Sequence, residues 1–323
     1  MRPLAIKKLL KSVQSQTKIP QQIVVVDGST NEETRYLLNE SFSMLSLDYF
    51  LVDKEHRGLT RQRNFGVQQV NPSIDIVCFL DDDIVLEPDY FEQIEKTYKL
   101  HSDAIGVGGI DLKENRFFLK QADALYNRFA YYELDGWVIK ESLRYKARKL
   151  FGLLSDMPPG IIPPFSNGRS GFPPNGNIYQ VEHFMGGIGS YKKSLFNDIG
   201  FSKYFEGYGL YEDFDFCVRA LRFGKLYVNT NAKVWHYHEP GGRPDLYKYG
   251  KMVVRNGWYV WRVRFPNPPL KARIQWNATV LLLAFIRLLN IVTGPDRNGA
   301  FKEFWGRIFA WAVLFVSKPL VEK

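Results

Sequence analysis

The residues best equipped for chemistry are the three consecutive carboxylates of Phe79-Leu80-Asp81-Asp82-Asp83-Ile84. They close an apolar run, Ile74–Leu80, that has the length and β-branched content of a buried strand. Adjacent carboxylates repel one another and gain nothing from packing, so a cation is the natural compensation. Oxygen donors held this close suit Mg2+ or Mn2+, and such an ion in turn holds phosphate oxygens. The plainer reading is an acidic turn entering a helix, with Asp83 or Glu87 serving its N-terminus. Three further segments stand out. Phe184-Met185-Gly186-Gly187 would let backbone approach a ligand closely, or is a simple tight turn. Glu212, Asp213 and Asp215 crowd a helix start, where acidic residues also complement the helix dipole. His236 and His238 end the run Ala232–His238.

The elements that must position these groups alternate between two periods. Leu4, Ile6, Leu9, Leu10 and Val13 recur at helical spacing, and Ile23–Val26 follows as a short apolar strand broken by Asp27-Gly28-Ser29-Thr30. Helices are expected at 32–40, 60–70 and 88–100, and strands at 47–52, 74–80 and 104–108. Apolar strands separated by helices predict an α/β layer architecture, with a parallel sheet covered on both faces. In such an open sheet, ligands bind beyond the carboxyl ends of the strands, which is where Asp81–Asp83 fall. Residues 111–150 read as helical and charged. Residues 157–176 are dense in Pro and Gly and predict an irregular loop, a candidate lid. Short helices at 193–199 and 213–223 follow, with two short strands at 226–228 and 233–235.

The chain has 323 residues, 45% hydrophobic and 15% aromatic, with two cysteines and a net charge of +9. Two cysteines imply no disulfide framework, and reduced buried thiols fit a cytosolic compartment. Residues 1–11 are basic and amphipathic, without the long apolar stretch of a signal peptide. The charge is uneven. From Arg243 to Lys323 there are 14 Lys and Arg against 4 Asp and Glu, whereas the remainder carries 29 against 30. Basic residues interleaved with Leu, Ile, Val and Trp runs point to an anionic membrane surface rather than to nucleic acid. Two apolar runs there, 276–292 and 308–316, fall short of the roughly 20 residues a span needs, so two helices lying in one leaflet are expected.

Three segments together resemble the family 2 glycosyltransferases. Val24-Val25-Val26-Asp27-Gly28-Ser29 resembles the family's second strand with its nucleoside-contacting Asp. Gly58-Leu59-Thr60-Arg61-Gln62-Arg63-Asn64-Phe65-Gly66 resembles its Gly-x3-Ala-Arg-Asn-x-Gly segment, with Gln62 in place of Ala. Phe79–Asp83 resembles its Asp-x-Asp motif, and order and spacing agree. The resemblance implies a GT-A-type α/β fold with a doubly wound mixed sheet, flanking helices and C-terminal amphipathic or apolar helices. It implies Asp27, Arg63, Asn64, Asp81 and Asp82 as contacts to a nucleotide sugar, and Asp81 and Asp83 as ligands of Mn2+ or Mg2+. Phe205–Arg219 resembles the family's Glu-Asp-x-Asp-hydrophobic-x2-Arg signature, which makes Asp213 the catalytic base and puts Glu212, Gly186 and Gly187 at the sugar. Ala232–His238 resembles a strand ending in a third metal ligand. His236 is in register and His238 is the neighbouring alternative.

The implied activity is inverting, metal-dependent transfer of a sugar from a nucleoside diphosphate to an acceptor hydroxyl. A saccharide or lipid-linked acceptor is expected, on the cytoplasmic face of a membrane, in surface polysaccharide or glycolipid synthesis. The expected organisation is a nucleotide-sugar half (1–110), an acceptor half of the same catalytic domain (111–242) and a membrane-associating helical tail (243–323). The resemblance covers roughly residues 2–240 but lacks the family's first strand. Met1-Arg2-Pro3-Leu4 matches only the Arg that ends that strand and the helix after it. In the family this strand lies mid-sheet, so two neighbouring strands should each lack a partner. Either the true start lies upstream, which is favoured, or the protein is a repurposed copy. The alternative function is therefore a catalytically defective, membrane-bound nucleotide-sugar-binding partner. A nucleotidyltransferase fits less well, since no Gly-rich activation loop opens the chain.

Overall fold

The structure, a computed structural model, describes residues 2–42, 44–238 and 244–321. The chain divides into two compact units: Met1–Arg116 with Gly171–Gly242, and Phe117–Ser170 with Arg243–Lys323. The expected boundary at 242/243 lies outside the described residues.

In the first unit the order is α1 (Pro3–Gln14), β1 (Ile23–Asp27), α2 (Glu33–Ser41), β2 (Leu47–Leu51), α3 (Leu59–Gln68), β3 (Ile76–Cys78), β4 (Ile84–Leu86), α4 (Tyr90–Leu100) and β5 (Ala104–Asp111). The second unit contributes β6 (Phe118–Leu119), β7 (Tyr131–Leu134), β8 (Trp137–Lys140) and α5 (Leu143–Leu150). The chain then returns to the first unit with β9 (Ile178–Val181), β10 (Gly189–Lys192), α6 (Glu212–Ala220) and β11 (Lys225–His236). It ends with α7 (Leu246–Arg264), α8 (Leu270–Thr293) and α9 (Arg297–Val313).

The main sheet has the order β3-β10-β5-β11-β4, with β9 also on β11. It is mixed, as the GT-A resemblance implies, and not parallel as strand periodicity alone suggests. Only β5–β11 run parallel within it, because β10 enters from the Gly186-Gly187 turn in the opposite direction. β1 and β2 form a separate parallel pair. Among the described residues β1 pairs only with β2 and β3 only with β10, so each keeps one edge outside a ladder. Gln62 partly satisfies the β1 edge by donating from Nε2 to the Val26 carbonyl (2.9 Å).

The core follows the periodicities. Leu9 and Val13 of α1, Ile94 of α4, Val107 of β5 and Val234 of β11 meet in one buried cluster, and Leu10, Val25, Leu38 and Phe42 form another around β1. All eight residues of β5 are buried, which is why its sequence is apolar throughout until Asp111. The two strands expected at 226–228 and 233–235 are one strand with a register shift. Residues 111–150, expected to be helical, instead give the three-stranded sheet β6-β8-β7 and only then α5. Aromatic and β-branched residues facing across the pairs Tyr132–Ile139 and Leu134–Trp137 override the charged appearance of the segment.

In the second unit Trp261 stacks on Trp276 at 5.1 Å, within a cluster that includes Val254, Ala310 and Leu314. Buried Glu303 accepts hydrogen bonds from Arg307 (2.6 and 3.0 Å) and Arg287 (3.1 Å), so the arginine inside the apolar run of α8 is neutralised. The run read as 276–292 is part of a 24-residue helix, so α8 is long and apolar enough to cross a membrane by length and composition. The shorter reading stopped at Arg273 and Lys271, which the helix includes. Leu270, Ile274, Phe285, Leu289 and Val292 on α8 are exposed, as are Phe301, Trp305 and Phe309 on α9.

Candidate active site

Every residue singled out for chemistry lies in the first unit. Pairing with β10 continues past β3, since Phe79 and Asp81 donate backbone N–H to the Gly189 and Gly187 carbonyls (2.8 and 3.1 Å). Asp82 and Asp83 form the turn that follows, and one donor atom each from Asp81, Asp83 and His236 lies within 4.8 Å of the others. His236 arrives from the end of β11, antiparallel to β4 and paired with Ile84. Its Nε2 meets Asp83 Oδ1 at 3.0 Å, and Asp83 is nearly buried at 7% exposure. Burial pulls the His236 imidazole down, but Asp83 beside it dominates and holds its pKa above the ordinary value.

Two carboxylates and an imidazole at one point form a donor set for Mn2+ or Mg2+. The glycines leave room for it: a Cβ on Gly187 would collide with the Asp81 carboxylate. Arg2 supplies positive charge on the flank. It donates from Nε to Asp82 Oδ2 and from Nη1 to Asp83 Oδ2, both at 3.0 Å. Burial, Asp83 and Asp81 still keep the Asp82 carboxyl above its usual pKa.

A second cluster is built on α6. Tyr211 takes a left-handed conformation (φ 71°) immediately before the helix, and this non-glycine turn presents Glu212 and Asp213. Glu212 is 4% exposed and accepts from Arg63 Nη1 at 2.5 Å, while Arg63 Nη2 reaches Asp81 Oδ1 at 3.3 Å. Arg63 therefore ties the two acidic clusters together. Its guanidinium also lies over the rings of Phe79 and Phe201, 5.7 and 5.3 Å from their centroids. Burial drives the Glu212 carboxyl up to about 8, against Arg63, with Asp213 and Asp81 adding repulsion. Glu212 Oε2 is buried with no protein partner among the described residues, an orphan acceptor that suits a ligand hydroxyl.

Asp213 is partly exposed. Its Oδ2 accepts from the Gly186 N–H (3.0 Å) and its Oδ1 from its own helix at Phe214 N–H (2.8 Å). Burial raises its pKa, and these two N–H groups oppose the rise. Gly186 is required here too, because a Cβ would sit 2.6 Å from the Asp213 Cβ.

Asp27 ends β1 with Oδ1 accepting from Ser29 N–H (2.8 Å) and Oδ2 from Tyr49 OH (2.7 Å). Burial pushes its pKa up, but Ser29 and Tyr49 outweigh that and hold it below the usual range. Asn64 spends both ends of its amide on the Phe201 backbone (2.8 Å each). Arg219, held by buried Asp215 at 2.6 Å, grips the Gly200 carbonyl beside it at 2.9 Å. These contacts lock α3 against α6 and so fix Arg63. Sequence reasoning noted Arg2 and Gln62 within the resembling segments without giving them a site role, and passed over Tyr49 and Asp111. Asp111 alone carried a signal, as a carboxylate ending an otherwise apolar run.

Comparison with known proteins bears on the family and the fold. Residues 2–157 match the model of glycosyl transferase family 2. Over 101 residues the chain is 35% identical to a glucosyl-dolichyl phosphate glucuronosyltransferase of Haloferax volcanii. That match spans 31% of this chain and 31% of the relative, so the chain covers about a third of that relative's length. Among solved structures, the mannosyltransferase PcManGT from Pyrobaculum calidifontis, in complex with GDP-Man and Mn2+, superposes with a TM-score of 0.52 at 13% identity. The superposition covers 97% of this chain and 83% of that one, and shows a shared GT-A fold. S. aureus TarS gives a TM-score of 0.45 at 17% identity, covering 92% of this chain and 42% of TarS.

Proposed function

We infer, from a chain whose residues 2–157 are those of glycosyl transferase family 2 and whose fold is GT-A, that it is an inverting glycosyltransferase. It would transfer a sugar from a nucleoside diphosphate to an acceptor hydroxyl. The observation that carries this reading is the single guanidinium of Arg63 bridging Asp81 of the acidic strand end and Glu212 of the acidic helix start. A structural turn and a structural helix cap would have no reason to share a buried cation.

Asp81, Asp83 and His236 would hold Mn2+ or Mg2+, which when bound supplies positive charge to the diphosphate leaving group. The remaining roles fall to the chain itself. Asp27, ending β1, offers its remaining lone pairs to the base of the nucleotide. Arg63 and Asp82 flank the nucleotide sugar. Gly186 and Gly187 let the sugar approach the backbone, and Glu212 Oε2 accepts one of its hydroxyls. Asp213 takes the proton of the attacking acceptor hydroxyl. Its raised pKa makes it a stronger base than an exposed carboxylate. Attack from the face opposite the departing diphosphate inverts the anomeric carbon.

The relative named above acts on a dolichyl-phosphate-linked sugar, which supports a lipid-linked acceptor here. The exposed apolar residues of α8 and α9, in a basic tail, support a site of action at an anionic membrane surface. A panel of nucleotide sugars incubated with Mn2+ tests the reading through release of nucleoside diphosphate. Turnover of at least one donor that chelation stops is the expected result. Tight binding of a donor without turnover would favour a non-catalytic binding partner.

A further inference from the structure

Beside the acidic strand end lies a second group of metal-ligating side chains that the transfer reaction does not use. Asp111 ends the buried strand β5 and is 2% exposed. Its Oδ1 accepts from the N–H groups of Lys113 (2.9 Å) and His236 (3.3 Å), while Oδ2 is buried with no partner among the described residues. His236 is 8% exposed, and its Nδ1 is likewise buried without a partner. His238 follows two residues later in a left-handed conformation (φ 51°), with its ring centroid 4.0 Å from that of His236. One donor atom each from Asp111, His236 and His238 lies within 4.8 Å of the others.

We propose that Asp111, His236 and His238 form a second divalent-cation site, distinct from Asp81 and Asp83. A buried polar atom is ordinarily hydrogen-bonded, and Asp111 Oδ2 and His236 Nδ1 are two that have no partner among the described residues. With a donor atom from each of the three residues within 4.8 Å of the others, an ion is the natural occupant. The outer contacts fit as well. His236 Nε2 faces Asp83 Oδ1 at 3.0 Å and His238 Nε2 faces Glu114 Oε1 at 2.8 Å. A carboxylate on the far nitrogen of each imidazole fixes the tautomer with Nε2–H donating, and leaves the Nδ1 lone pair for a metal. One carboxylate and two imidazoles select borderline first-row ions, with Zn2+ and Co2+ ahead of Mg2+.

The two sites share one ring. A neutral imidazole carries a single lone pair, so His236 serves either Asp81 and Asp83 through Nε2 or Asp111 and His238 through Nδ1. An ion in the second site therefore withdraws the imidazole from the first, and Zn2+ weakens Mn2+ binding without contacting Asp81.

The test uses the full chain carrying Asp81→Asn, which removes a ligand of the first site only. Co2+ is followed by its ligand-field absorption and Zn2+ by calorimetry, without nucleotide. The expected result is one ion per chain, bound at least tenfold more weakly after His238→Ala or Asp111→Asn. Glu114→Gln, at an exposed position, gives a smaller loss with unchanged circular dichroism, which guards against misfolding of the other variants. The proposal is overturned if Co2+ binding is absent or indifferent to all three substitutions. It is also overturned if Asp111→Asn weakens Mn2+ binding in a chain with Asp81 intact but leaves Co2+ and Zn2+ binding to the Asp81→Asn chain unchanged, since Asp111 would then merely orient the His236 ring. Neither result bears on sugar transfer, which the donor panel tests separately.

Discussion

Arg63 donates to Glu212 at 2.5 Å from a position where both side chains are almost wholly buried. Removing one partner of such a buried, hydrogen-bonded pair leaves the other unsatisfied, which typically costs about 1–3 kcal/mol. Arg63→Met should therefore lower stability by that order in urea unfolding, while also abolishing transfer. Loss of activity with an unchanged midpoint would argue against the pairing as a structural link.

Glu212 makes the pair pH-dependent. Its carboxyl is raised from an unfolded value near 4.5 to about 8. A group raised on folding contributes stability that is fully present below the unfolded pKa and is lost as pH rises through the folded one. Wild-type stability should fall between about pH 5 and 8 more steeply than that of Glu212→Gln, and level off above that. Parallel curves for the two proteins would refute the assignment.

Asp213→Asn should reduce turnover by about 10²–10⁴-fold, the usual contribution of a general base, with nucleotide-sugar affinity nearly unchanged. Because burial raises the Asp213 pKa, the acid limb of the kcat profile should lie above the ordinary carboxylate range. Full activity in the Asn variant would remove Asp213 from the mechanism.

A methyl group at Gly187 meets the Asp81 carboxylate. Gly187→Ala should cost about 1–3 kcal/mol of strain and weaken Mn2+-dependent nucleotide binding, measured by calorimetry. Retained affinity in that variant would mean that Asp81 is not held where the cation binds.

The exposed apolar face of α8 invites a membrane test. Phe285→Ser combined with Leu289→Ser removes about 3 kcal/mol or more of apolar burial, so binding to anionic vesicles should fall about a hundredfold. Sedimentation with such vesicles reads this directly, and high salt should weaken the wild type as well.

The sequence alone marked the candidate chemistry-bearing positions and determined the class of fold. Three adjacent carboxylates after an apolar run, two glycines and an acidic helix start are visible because residue type and local period are properties of short segments. Among the described residues β1 and β3 each keep an edge outside a ladder, which the residues of those strands do not reveal by themselves. Two readings failed for the same reason. Residues 111–150 looked helical, and the sheet looked parallel, because strand direction and cross-strand pairing depend on partners far away in the chain. Only tertiary structure could bring Arg63 between Asp81 and Glu212, 149 residues from the latter. It alone turned Arg2 onto Asp82 and Asp83, and left Asp111 Oδ2 and His236 Nδ1 buried without partners among the described residues. Those are relationships between strand ends, fixed by the register of β5, β4 and β11, and no local spacing encodes a register.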